Sequence, residues 1–265
     1  MTRRASVRAA LIAALMAAGG QGRVTTGDEP ARATDTRVAA RLKMVKRSLE
    51  ERGIKDPRVL EAFRVVPRHL FLPPDTQRMA YDDESIPIGE GQTITPPYDV
   101  AFMTEALQPK PTDKVYEVGT GSGYQSSILS RCVRDVYSVE IHPPLGKRAA
   151  QVIQDLGYTN IHTRIGDGYA GWPDAAPFDA VIVTCAPTEV PGPLVAQLRE
   201  GGRIVIPLGG KFDQRVHIMI KQDGKLVDTV VPRPTLFVPM TGQAQREARA
   251  AAAAKATGKA EGSRP

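Results

Sequence analysis

From residue 114 onward, short apolar runs alternate with helical spacing, and this restricts the possible folds more than any other feature of the chain. "KVYEV" (114–118), "DVYSVE" (135–140), "NIHTRI" (160–165), "DAVIVT" (179–184) and "RIVIPL" (203–208) have the length and content of strands. Helical stretches run to residue 132 after the first, through 156 after the second, and over about 193–199 before the fifth. Strands recurring roughly every 20–25 residues with helices between them imply βαβ units and a mostly parallel sheet. "RVHIMIKQDGKLVDTVV" breaks the pattern, with two runs about Asp223-Gly224 that predict an antiparallel hairpin.

The region before this alternation predicts a helical lead-in. Val38, Leu42, Val45 and Leu49 form an apolar stripe ending at Gly53. In "DPRVLEAFRVV", Asp56 is the expected N-cap of a second helix, with Pro57 at its first position. Residues 67–97 are proline-rich and read as irregular, and helical spacing resumes over 98–107. A leader and linker are expected over 1–36, a catalytic domain over 37–242 (lead-in 37–108, core 109–242) and a low-complexity tail over 243–265, helical or disordered. The leader has a basic start, a short apolar run and small residues, the plan of a secretory signal. A helical or unstructured leader fits it equally well.

Charge argues against a nucleic-acid partner. The net charge of +6 lies in the ends, because residues 51–242 carry 20 Lys and Arg against 23 Asp and Glu. A phosphate-tracking groove needs its cations on the folded body. The 2 cysteines and 4 histidines show no metal-ligand spacing, so no metal site is expected.

"EVGTGSG" (117–123) joins the first strand to its helix with glycines at 119, 121 and 123. The spacing is neither that of a dinucleotide loop nor that of a phosphate-binding P-loop. Glu117 beside it suits an amine and repels phosphate. Glu140 ends the second strand, where an acid accepts from ribose hydroxyls. Asp167 in "GDG" follows the third strand and can accept from an adenine amine. Three acids at three successive strand ends describe one crevice for a ribose, an adenine and a cationic amino-acid end. S-adenosyl-L-methionine has all three.

On these residues, together with "VPRHLFLP", "GQTITPPY", "GYQ", "GDGYAGWPDAAPFDAVIVT", "GGRIVIPLGG" and "FVPMTG", the chain resembles the protein-L-isoaspartate O-methyltransferase family. The resemblance runs over about residues 41–242. It implies an α/β fold of the Rossmann-like class I methyltransferase kind, with a C-terminal antiparallel hairpin and an N-terminal helical lead-in. It implies an S-adenosylmethionine-dependent protein carboxyl O-methyltransferase that acts on isoaspartyl residues of damaged proteins. Glu117, Gly119 and Gly121 are then cofactor-binding at the methionine end, Glu140 at the ribose, and Asp167 and Gly168 at the adenine, with Thr120 a further cofactor-binding residue. Thr95 stands where the family's usual catalytic hydroxyl is a serine, and Cys185 where a small alanine is common. "IPLGG" and "FVPMTG" become candidate walls of a peptide groove.

The family expectation is a cytoplasmic, monomeric enzyme without nucleic acid or membrane anchor, export through the leader being the alternative. Two other readings stay open: a class I methyltransferase for a small-molecule carboxylate or hydroxyl, and a non-catalytic cofactor-binding module. Thr95 likewise keeps a second role, as cap of the helix that begins near Pro96 or Pro97.

Overall fold

The computed structural model describes residues 37–210 and 212–261. The expected leader over 1–36 lies outside the described residues. Helix α1 (Val38–Met44) continues through a wide π turn (Val45–Leu49) and a 3-10 turn (Glu50–Arg52) that ends on Gly53. Helix α2 (Pro57–Val65) begins as its sequence requires: one Asp56 carboxylate oxygen accepts from the amides of Arg58 at 2.8 Å and Val59 at 3.3 Å. Its buried stripe is Val59, Leu60, Ala62 and Phe63.

The segment read as irregular contains a small hairpin, β1 (Ile86–Gly89) and β2 (Gln92–Ile94), paired antiparallel through Ile86 and Ile94. Strands of 4 and 3 residues with a proline in one leave almost no period-2 signal to read. The hairpin forms because Ile86, Ile88 and Ile94 are buried in the core. Helix α3 (Pro97–Ala106) follows within three residues.

Then come β3 (Lys114–Val118), α4 (Tyr124–Ser130), β4 (Asp135–Glu140), α5 (Pro143–Asp155), β5 (Ile161–Ile165), β6 (Phe178–Val183), α6 (Gly192–Gln197) and β7 (Leu198–Gly210). β8 (Asp213–Gln222), β9 (Lys225–Thr235) and α7 (Gln243–Glu261) complete the described chain. The seven-stranded sheet runs β5-β4-β3-β6-β7-β8-β9. It is parallel from β5 to β7 and antiparallel through β8 and β9. β7 starts at Leu198, earlier than residue 203, where its apolar run begins, and a register shift divides its pairing with β6.

Alternation along each strand divides the core in two. Val115, Val136, Ala180, Ile182 and Val205 pack with the lead-in helices and α4. Tyr116, Val118, Phe178, Val181, Val183 and Ile204 face the layer carrying α6. The chain order turns back on either side of β3, so a crevice opens at its carboxyl end. No helix among the described residues is long and apolar enough to cross a membrane. Asp56→Ala removes an acceptor that serves two orphan amides, so it is expected to cost about 1 kcal/mol. Urea unfolding midpoints at constant slope measure this.

Candidate active site

The turn after β3 is held by its neighbours' backbone. Gly119 and Thr120 both donate their amides to the Val139 carbonyl, at 2.9 and 3.3 Å. Gly119 has φ +94°, and a Cβ there would lie 2.5 Å from the Thr184 hydroxyl oxygen. That hydroxyl donates to the carbonyls of Val118 and Gly119 at 2.9 and 2.8 Å, fastening the end of β6 beneath the loop. Both the dihedral and the close approach require glycine. The Thr120 and Ser138 hydroxyls are 2.6 Å apart and buried.

Glu140 is oriented by two amides: Gly121 donates to one oxygen at 2.8 Å and His142 to the other at 2.9 Å. Asp167 is held in a similar way. Tyr169 donates its amide to one oxygen at 3.0 Å, and Gln243, the first residue of α7, donates to the other at 2.8 Å. Tyr116 donates its hydroxyl to the Gly168 carbonyl at 3.0 Å and so anchors the turn that follows Asp167.

Thr95, Gly119, Thr120, Gly121, Glu140, Asp167 and Gly168 all line one cavity that is open to solvent. Glu117 is different, and the expectation that three acids line a common hollow is corrected. It shares the parity of Val115, so it points into the buried layer under α4, where Ser126 lies, and is absent from the cavity wall. Its side chain is fully buried and accepts from the Ser126 hydroxyl, and its other oxygen has no hydrogen-bond partner. Burial pushes its carboxyl up to about 7. An unpaired buried carboxylate beneath a glycine turn fits a cationic group bound above it.

Residues that the sequence reading did not single out also line the cavity. Tyr124 and Gln125 open α4 and are buried in its wall; Gln125 donates to the Thr104 hydroxyl at 2.9 Å. The "GYQ" that follows the loop was the available signal. His142 lies two residues past Glu140 with its Nε2 3.4 Å from Gln92 Nε2, a pairing between β2 and the start of α5 that only the fold reveals. Cys185 is on the wall as well, its thiol pushed up to about 12 by burial and therefore neutral at physiological pH.

A larger groove of about 890 Å³ adjoins the cavity, with Thr93, Thr95, Thr184, Val238, Pro239 and Met240 on the boundary of both. Gly209, Gly210 and Phe237, from the two motifs expected as walls, line it. The segment around Pro239 is clamped there by two backbone bonds, from Ala186 to the Val238 carbonyl at 2.8 Å and from Met240 to the Ala186 carbonyl at 2.9 Å. Helix α3 takes Pro96 as its N-cap, and no side chain caps it, so Thr95 does not serve there.

A doubly wound sheet with a glycine turn after β3, an amide-oriented acid after β4 and another after β5 defines a class I methyltransferase. The family model for protein-L-isoaspartate(D-aspartate) O-methyltransferases matches residues 40–245. The protein-L-isoaspartate O-methyltransferase 2 of Shewanella sediminis is 48% identical over 210 residues, 79% of this chain and 86% of its own. The protein-L-isoaspartate O-methyltransferase of Opitutus terrae is 48% identical over 207 residues, 77% of this chain and 88% of its own. A solved protein-L-isoaspartate O-methyltransferase superposes with a TM-score of 0.70 at 30% identity, covering 76% of this chain and 66% of that one. A putative Plasmodium falciparum protein-L-isoaspartate O-methyltransferase, solved with S-adenosyl-L-homocysteine, shares the fold (TM-score 0.66, 22% identity, 76% of this chain and 98% of that one). The chain belongs to the protein-L-isoaspartate O-methyltransferase family, whose methyl donor is S-adenosylmethionine.

The buried acid has a pH signature. With its carboxyl raised from 4.5 to about 7, folded Glu117 binds protons that the unfolded chain releases, and native stability falls as pH rises through that window. Glu117→Gln removes the dependence. In the ligand-free protein its stability relative to the parent is expected to rise by about 3 kcal/mol between pH 4.5 and pH 7 and then level off. Urea midpoints at pH 5 and pH 8 test this; a pH-independent difference would refute it.

Proposed function

We propose that Thr95 orients the acceptor carboxylate in the reaction of this family, methyl transfer from S-adenosylmethionine to the free α-carboxylate of isoaspartyl residues in proteins. The observation that carries this reading is the place of Thr95 on the boundary between the cavity at the strand ends and the larger groove beside it. A hydroxyl there faces a donor on one side and an extended peptide on the other.

The cofactor supplies an activated sulfonium methyl. Glu140, oriented by the Gly121 and His142 amides, presents both oxygens to the ribose hydroxyls. Asp167 and Gly168 take the adenine edge. Glu117 acts from below the loop, where its unpaired oxygen offsets the positive charge of the methionine end. The neutral Cys185 thiol is a poor nucleophile, so it does not compete for the methyl group.

The acceptor needs no general base. An isoaspartyl residue exposes a carboxylate with pKa about 4, already ionised at neutral pH. What remains is alignment of oxygen, methyl carbon and sulfur, an effect worth several kcal/mol. Thr95 donates one hydrogen bond to one carboxylate oxygen and leaves the other aimed at the methyl. Pro96 and Pro97 restrict the backbone behind it. A neutral donor suits the task, because a cation would hold the charge too tightly. The ester formed is a better acyl electrophile, and attack by the following backbone nitrogen expels methanol and closes a succinimide that hydrolyses in part to aspartate.

We further take the enzyme as cytoplasmic and monomeric, without nucleic acid; N-terminal sequencing of the mature protein tests the location. Labelled-methyl transfer is expected to an isoaspartyl peptide and not to its aspartyl twin. Thr95→Val should lower kcat/KM by roughly 10- to 100-fold, the worth of a hydrogen bond to a charged group. Thr95→Ser should retain most activity, and both should bind S-adenosylhomocysteine as the parent does. Full turnover in Thr95→Val removes Thr95 from the mechanism.

A further inference from the structure

Helix α7 reaches Glu261, whereas the family match ends at residue 245, so most of this helix belongs to this chain and not to the shared domain. It nevertheless starts inside the site. Its first amide, that of Gln243, donates to the Asp167 carboxylate at 2.8 Å. One turn on, Glu247 accepts from the Tyr169 hydroxyl at 2.7 Å and from the Gln243 side chain at 2.9 Å. Ala244 packs against the apolar layer that holds Val118 and Met240. Ala244, Gln245 and Ala248 form part of the groove wall. The approach is tight: Gly242 has φ +72°, and a Cβ on it would lie 2.3 Å from an Asp167 carboxylate oxygen.

We infer that α7 is a positioning element that couples cofactor binding to closure of the peptide groove through the Gln243 amide. This rests on the reading of Asp167 as the adenine acceptor. A carboxylate offers about four acceptor sites. The amides of Tyr169 and Gln243 occupy two, and the Arg246 guanidinium approaches the Gln243-bonded oxygen only to 3.8 Å, so the rotation of the group is fixed and acceptor capacity remains for an adenine amine. Gln243 therefore orients Asp167 and does not block it. Linkage makes the effect mutual: if α7 holds Asp167 ready for adenine, bound adenine holds α7 against the groove by the same factor. The groove wall that α7 supplies is then held more firmly when the donor is in place, so peptide binding is favoured on an enzyme already loaded with its methyl group.

The test separates the amide from the side chain. Gln243→Pro removes the N–H at the first helical position, which tolerates proline; Gln243→Ala keeps the N–H and loses the side-chain bond. In the full-length protein, calorimetric titration with S-adenosylhomocysteine is expected to give a Kd about 5- to 10-fold higher for the proline variant than for the alanine variant. Their kcat at saturating donor and peptide should agree within about twofold, the split that a positioning role requires and general destabilisation does not give. S-adenosylhomocysteine should also slow tryptic cleavage after Arg246 and Arg249 in the unsubstituted protein and lose that effect in Gln243→Pro. Equal Kd values for the two variants, or cleavage unaffected by the ligand in the unsubstituted protein, overturns the inference. If the proline variant does not fold, the cleavage experiment alone decides. Asp167→Asn separates the two levels: if it leaves the Kd unchanged, the adenine assignment has failed; if it weakens binding while Gln243→Pro does not, only the role of α7 has failed.

Discussion

The 2.8 Å bond from the Gly121 amide to the Glu140 carboxylate is the contact on which the rest of the site depends. It joins the turn after β3 to the end of β4 and fixes two things together, the path of the glycine turn and the rotation of the acid. The Val139 carbonyl, accepting from Gly119 and Thr120, sets the same distance from the backbone side. Since β3 and β4 are paired in register over five residues, the sheet leaves this geometry little freedom. The cavity is thus built mainly from backbone amides and carboxylates at strand ends, where relaxation is small and preorganisation correspondingly high.

The burial of Glu117 shows how one strand can serve two faces. The cost of keeping that acid dry appears in its raised proton affinity and in its oxygen without a partner. Such a group destabilises the fold as pH rises through its raised pKa, so stability and pH are linked at this residue. A side chain selected for stability alone would not be a carboxylate.

The acceptor side is organised differently. Thr95 belongs to no regular element; it lies between a hairpin of two very short strands and a helix that begins on proline. Its placement depends on three buried isoleucines of the hairpin and on the clamp between Ala186 and the segment around Pro239. The cavity at the strand ends rests on the sheet, whereas the wall around Thr95 rests on side-chain packing between distant segments.

By itself the sequence determined the α/β alternation, the antiparallel β8–β9 pair, the Asp56 cap, the glycine turn and the placing of acids at successive strand ends. All of these are local: each depends on a few neighbouring residues and a fixed period. Tertiary structure alone decided that Glu140 and Asp167 line the cavity while the Glu117 side chain is buried against Ser126 of α4. Packing against the core likewise made a hairpin of residues 86–94, brought His142 to Gln92, and seated an alanine-rich tail as a helix on Asp167. These outcomes join residues tens of positions apart through burial and hydrogen bonding that no local period encodes.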